Sequence, residues 1–249
     1  MHLLTKSSIE QQASSLEPWE QSAFDYFKQM MLDRKHPYPC VPGIQGFLED
    51  SLRYGFAGNP KSYKTAEQLA SLLKAYGKIS RDTGRYASIV VFFDTQDIER
   101  ATSISSYQEI FWTLLSRVHE LDEEPWPDDI STCPEDPSWE FCFDGEPYFA
   151  FCATPAHSER KSRHSPHFLI AMQPRWVFHD IHDGTSYGRK LKAAIRKRLE
   201  EYDERPAHPA LKWYGQKDNL EWQQYFLQDD DTIPSKCPFK AMMQRNQNA

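Results

Sequence analysis

The dipeptide Asp144-Gly145, set between FCF and EPYFAFC, restricts the fold more than any other feature. Asp-Gly supplies the two residues at positive φ that a tight hairpin turn needs, and this turn matches the twist of the strands it joins. The flanking runs therefore pair antiparallel, and a sheet is built around them. Directly after the second run comes a short loop carrying His157, Arg160, Arg163, His164 and His167. The chain then returns to an apolar strand, Phe168 to Met172, interrupted at Pro174 and continued by Trp176 to Phe178. Apolar strands that bracket a cationic, imidazole-rich loop suit a large planar anionic cofactor. Haem is the foremost candidate, since it needs an axial ligand, basic partners for two propionates and aromatic walls.

The remaining chain supplies helices and one further strand. Trp19 to Leu32 repeats apolar residues at helical spacing and stops at HPYPC, whose prolines read as a rigid turn. Thr65 with Gln68 has the spacing of a capping box for a helix carrying Leu69, Leu72, Leu73 and Tyr76, ended by Gly77. Ser106 with Glu109 opens a third helix through Leu121, before Pro125-Trp126-Pro127 forces a loop. Ala87 to Phe93, ASIVVFF, is β-branched and aromatic without alternation, the pattern of a strand covered on both faces. Tyr187 to Tyr202 is a basic amphipathic helix, and Asn219 to Phe239 holds a short helical segment, an acidic run and Cys-Pro-Phe. These elements predict an α+β fold, a single domain over residues 1–249 with a mixed β-sheet flanked by several helices. Residues 1–18 and 241–249 are expected to be flexible ends.

Composition narrows the function classes. Seven Trp, 12 Tyr and 15 Phe suit a folded, ring-lined domain, and 249 residues can bury a substantial core. A net charge of −7 removes general attraction to nucleic acid or an anionic membrane, so any anion must be met locally. Five cysteines without CxxC spacing argue against a disulfide scaffold or zinc ribbon and for a reducing compartment. No apolar run is long enough to span a bilayer, so the expectation is a cytoplasmic protein. HExxH, a phosphate loop, a dinucleotide glycine signature and a GxSxG elbow are all missing. His179-Asp180 and His182-Asp183 have the donor types of a divalent-metal phosphohydrolase. Further ligands are not evident, and the turn at Gly184 favours a solvated loop there.

HPYPCVPG, FWTLLSRVHELDEEPWP, WEFCFDGEPYF, TPAHSERKSR, QPRWVF, IRKRLEEYD, HPALKWYGQKDNLEWQQYFL and CPF, in this order over nearly the whole chain, resemble the YqcI/YcgG family. The resemblance implies a haem-dependent monooxygenase that N-hydroxylates a small guanidino or amine substrate of the arginine type. It implies b-type haem iron as cofactor, with oxygen and an external electron donor as partners; no CxxCH is present for covalent attachment. A non-catalytic haem-binding or haem-sensing protein is the competing reading and would use the same residues.

His157, beside Pro155 in the loop after an apolar strand, is the first candidate for the axial ligand. His119, on the Trp112 and Leu115 side of its helix, and His36 in HPYPC are the other histidine candidates. Cys40 and Cys237 each neighbour a proline and would offer a thiolate, which assists O–O cleavage. Arg160, Arg163 and Arg175 are the basic groups nearest His157 in sequence. Their guanidinium groups suit haem propionates or the carboxylate of an amino-acid substrate. A guanidino substrate keeps its charge and needs an acidic partner, for which Glu140, Asp144, Glu146 and Glu221 stand ready. Trp139, Phe143, Tyr148, Trp176 and Trp222 are the candidate aromatic walls.

Overall fold

The computed structural model describes residues 2–98, 102–179, 181, 184–213 and 216–239. In chain order the elements are α1 (Lys6–Gln11), α2 (Pro18–Leu32), α3 (Val41–Leu48), β1 (Leu52–Ala57), α4 (Tyr63–Gly77), β2 (Ser88–Phe93), α5 (Ile104–Glu120), β3 (Phe141–Phe143), β4 (Glu146–Ala153), β5 (Leu169–Pro174), α6 (Ser186–Asp203) and α7 (Trp222–Tyr225). The strands form one mixed sheet in the order β1-β2-β5-β4-β3, with β1 and β2 parallel and the other neighbours antiparallel. This is the α+β fold with a helix-flanked mixed sheet that the sequence predicts. Asp144 and Gly145 turn the β3–β4 hairpin at φ 53° and 72°.

Pleating sends alternate side chains into two cores. On one face Leu69, Leu72 and Leu73 of α4 and Phe111, Leu114 and Leu115 of α5 pack with Ile89, Val91, Ala150, Cys152 and Ile170. On the other, Phe24, Phe27 and Met31 of α2 and Phe47 of α3 pack with Tyr54, Phe56, Val90, Phe92 and Leu169. Helices on both faces explain the lack of alternation in β2, whose six residues are all buried. In β4 the alternation survives: Tyr148, Ala150 and Cys152 are buried, while Phe149 and Phe151 are only half-buried. Those two rings border the site described below.

Several boundaries differ from the sequence expectation. Thr65 lies inside α4, its hydroxyl donating to the Asn59 carbonyl at 2.7 Å, because the helix starts earlier at Tyr63. Ser103, not Ser106, caps α5, accepting from the Ser106 amide at 3.1 Å. Trp176–Phe178 belong to a 3-10 turn rather than a strand, since Pro174 ends the ladder. Residues 2–17 are not a loose end: Leu4 and Tyr54 exchange main-chain hydrogen bonds of 2.9 Å each way, and Thr5 caps α1. Residues 241–249 lie outside the described residues. Neither α3 nor β1 is anticipated.

Candidate functional site

The loop from β4 to β5 is tied down at both ends. Thr154 and His164 form a β-bridge, with the Thr154 amide donating to the Arg163 carbonyl and the Ser165 amide to Thr154. Asp229, from the acidic run near the C-terminus, accepts from the amides of Ser158, Glu159 and Arg160 at 2.8, 3.1 and 3.0 Å. Chain remote in sequence thus fixes the imidazole-rich loop against the sheet.

The three arginines do not converge. Arg160 is buried and donates to Asp231 at 2.6 Å and to the carbonyls of Gln228 and Pro206 at 3.1 and 3.3 Å. It therefore clips the acidic run, with its charge already compensated by the Asp231 carboxylate. Arg175 follows the last residue of β5, about 20 Å of strand beyond the loop. There it pairs with Glu140 at 3.4 Å and Asp129 at 3.7 Å. Arg163 differs from both. It is 5 % exposed, its guanidinium lies 4.3 Å from the Phe151 ring centroid, and it donates to the carbonyls of Cys152, Tyr225 and Gln224 at 3.4, 3.1 and 3.0 Å. Among the described residues no carboxylate lies within 4.0 Å of it. Burial pushes its pKa down to about 10, so it stays a cation at neutral pH.

The histidines separate in the same way. His157 is 2 % exposed and both ring nitrogens are engaged: Nδ1 with Thr154 Oγ1 at 2.9 Å and Nε2 with the Leu227 carbonyl at 2.8 Å. Ligation through either nitrogen would break one of these two buried hydrogen bonds. As it stands, His157 is a core residue that joins the loop to the C-terminal segment. Burial pushes it down to about 4 from an ordinary 6.5, so the folded protein holds it neutral. Between those values the unfolded chain binds the proton and the native state does not. The stability His157 supplies is therefore complete above about pH 6.5 and is lost as pH falls toward 4. Urea midpoints measured across that range should decline on acidification, and His157→Gln should be less stable with a shallower decline. An equal slope in wild type and variant would contradict this role.

His119 packs edge-on to Trp126 at 5.4 Å and beside Phe239 at 5.5 Å, and its Nδ1 is buried without a hydrogen-bond partner. Cys237 is buried in the core beneath α4 and α5, and the exposed His36 lies 3.9 Å from Asp33. None of these three lines either cavity described next. Trp139, Phe143, Tyr148 and Trp222 also belong to the α4–α5 core. Asp180, His182 and Asp183 lie outside the described residues, among which no group of three His, Cys, Asp or Glu side chains is placed to hold a metal ion.

Two adjoining cavities open on the opposite face of the sheet. The smaller, about 120 Å³, is lined by Phe27, Met30 and Met31 of α2, by strand residues including Leu169 and Ala171, and by His164. The larger, about 240 Å³, is lined by Arg160, Arg163, Asp203 and apolar residues including Ile195 and Leu199 of α6. Tyr38, Cys40, Phe149, Phe151, Ser162 and Gln173 border both. Together they reach the lower end of the volume range of small-molecule sites, about 300 Å³.

His164 carries the chemistry that His157 lacks. Its Nδ1 lies 2.8 Å from the His157 carbonyl, which can only accept, so Nδ1 bears the proton. Nε2 has no hydrogen-bond partner among the described residues, and in the neutral ring it keeps its lone pair. An imidazole anchored to a carbonyl through one nitrogen and presenting the other is the usual arrangement of a metal-ligating histidine. Cys40, the N-cap of α3, accepts from the Gly43 amide at 3.3 Å, but burial raises its thiol pKa and keeps it protonated. Asp203 ends α6 and is buried; its two oxygens accept from the Ser162 amide and hydroxyl at 2.7 and 2.9 Å. Sequence reasoning placed His164 in the cationic cluster without assigning it a role, and it missed Tyr38 and Asp203, whose positions depend on contacts remote in sequence.

Comparison with known proteins follows the same outline. The YqcI/YcgG family model matches residues 27–240. The chain is 52 % identical to Bacillus subtilis YcgG over 241 residues, covering 96 % of this chain and 95 % of the relative. It is 50 % identical to B. subtilis YqcI over the same length and shares. A Streptomyces lavendulae protein provisionally named N(omega)-hydroxy-L-arginine synthase DcsA is 32 % identical over 240 residues, covering 93 % of this chain and 88 % of the relative. No solved structure matches at significant similarity. Among the described residues no helix is long and apolar enough to cross a membrane. With half or more of its residues shared with two members and the family model spanning both cavities, this chain belongs to the YqcI/YcgG family.

Proposed function

We propose that this protein is a haem-dependent monooxygenase that N-hydroxylates an arginine-like guanidino compound, with His164 as the protein ligand to the iron. The observation that carries the cofactor reading is the carbonyl-anchored His164 imidazole at an apolar cavity. The substrate reading draws on the relative whose name assigns it N-hydroxy-arginine synthesis. When bound, haem supplies the reduction of dioxygen and the delivery of one oxygen atom to nitrogen. The balance requires two electrons and two protons: one oxygen atom enters the N–H bond of the substrate and the other leaves as water. An external donor provides the electrons.

The chain's own residues bind, orient and exclude water. His164 would hold the iron, its orientation fixed by the His157 carbonyl, which His157 in turn positions through its two buried hydrogen bonds. Phe27, Phe149 and Phe151 supply apolar walls. Haem is larger than the smaller cavity, so loading must displace part of its lining. Met30 and Met31 are the lining side chains best able to yield, being unbranched and flexible. Titration of the purified protein with haem should give a Soret change that saturates at about one equivalent per chain. A change that never saturates, or none at all, would contradict the proposal.

A further inference from the structure

We infer that the larger cavity recognises the head of an α-amino acid, Arg163 taking the α-carboxylate and Asp203 the α-ammonium group; this rests on the arginine-like reading above. Of the residues lining that cavity, only Arg160, Arg163 and Asp203 are strongly charged. Arg160 is committed to Asp231 and to main-chain carbonyls. Arg163 remains, a cation 5 % exposed whose N–H groups meet three carbonyl oxygens but no described carboxylate within 4.0 Å. Carbonyls satisfy its donors without neutralising its charge, and Asp203, which lines the same cavity beyond ion-pair distance, compensates it only in part, which leaves a costly buried cation. A ligand carboxylate entering the cavity supplies the missing anion, and guanidinium is the side chain best shaped to receive it.

Asp203 stands on the other side of a single residue. Its carboxylate is held to the Ser162 amide and hydroxyl, immediately before Arg163 in the chain. Two accepted hydrogen bonds leave lone pairs for a further donor. A cation and an anion side by side in one apolar cavity match a ligand whose carboxylate and ammonium sit on the same carbon. A simple anion would be repelled by Asp203 and a simple amine by Arg163. Tyr38, Phe149 and Phe151 border both cavities, so a ligand held by its head in the larger one extends past them toward His164 in the smaller. Head recognition at one end and oxidation at the other suits a substrate modified at its terminal nitrogen.

The test is calorimetric titration of the full chain, with and without haem, using arginine, the amine lacking its carboxylate, the acid lacking its α-amino group, and a panel of other α-amino acids. Loss of either head group should weaken binding about tenfold to a hundredfold, the worth of a charge-assisted hydrogen bond. Arg163→Gln should erase discrimination against the decarboxylated amine, and Asp203→Asn discrimination against the desamino acid. Arg163 also ties β4 to the C-terminal segment, so the wild-type ligand series and Asp203→Asn decide the matter if Arg163→Gln does not fold. Equal binding of the three ligands by wild type, unchanged discrimination in Asp203→Asn, or no binding of any α-amino acid would overturn the head site. Head-dependent binding of α-amino acids without preference for a guanidino tail would support the head site and count against the arginine reading. N-hydroxylation of the decarboxylated amine as readily as arginine would do the reverse.

Discussion

Haem affinity should fall at least about a hundredfold in His164→Ala, and the Soret band of the loaded protein should be lost, with added imidazole restoring part of it. Removing residues that merely support a ligand costs about ten- to a hundredfold in metal affinity, so removing the ligand itself must cost no less. The basis is local: a ring with Nδ1 tied to the His157 carbonyl at 2.8 Å and Nε2 without a described partner, at a cavity walled by Phe27, Phe149 and Phe151. His164 is half-buried, and apart from its hydrogen bond to the His157 carbonyl its ring meets only the Tyr26 ring, at 6.4 Å, among the described aromatic residues, so the alanine variant should fold. The comparison variants sharpen the reading. His119→Ala and Cys237→Ala alter the opposite core and should keep the band of the folded fraction. Cys40→Ala should keep it too, since a half-buried thiol held protonated by desolvation is not poised to ligate. Loss of the band in Cys40→Ala or His119→Ala, with retention in His164→Ala, would move the ligand.

How much of this was legible in the sequence depends on whether an element carries its own periodicity. The Asp-Gly hairpin, the unbroken apolar run of β2 and the amphipathic patterns of α2, α4, α5 and α6 each announce themselves locally, and all are present. α3 does not: VPGIQGFL holds a proline and two glycines, poor helix formers, and it is helical because Phe47 packs into the core and Pro42 sits in the first turn. Its Gly46 is needed where a Cβ would approach the Tyr86 carbonyl to 2.8 Å. β1 is masked by Gly55, whose missing side chain leaves room for Leu72, and its register comes from β2 and Leu4.

The candidate site was half legible for a related reason. A dense run of His and Arg in one loop marks the region, but loop residues have no period that tells inward from outward. His157 and Arg160 prove to be internal clamps, and Arg175 is close to them only along the chain, because β5 carries it to the far end of the sheet. Asp203 comes from the end of α6 and Tyr38 from the turn before α3, the latter donating to the Ser162 carbonyl at 3.0 Å. Only the folded chain brings these to Arg163 and His164.

N-hydroxylation itself is expected to be all or none. A guanidinium group keeps its charge at neutral pH and its nitrogens are poor nucleophiles, so transfer of an oxygen atom requires activated oxygen and a donor of two electrons. On the proposed reading the chain would contribute His164 to the iron, apolar walls and a charged pair for the far end of the substrate, and loss of His164 alone should remove turnover. The decisive measurement is mass spectrometry of arginine incubated with haem-loaded protein, dioxygen and a reducing system. Gain of one oxygen atom at a terminal guanidino nitrogen, dependent on haem and on dioxygen and missing in His164→Ala, is the expected result. Unchanged arginine, together with unchanged guanidino and amine analogues, from protein that is haem-loaded, reduced and binds carbon monoxide reversibly, would contradict the account and mark a haem sensor.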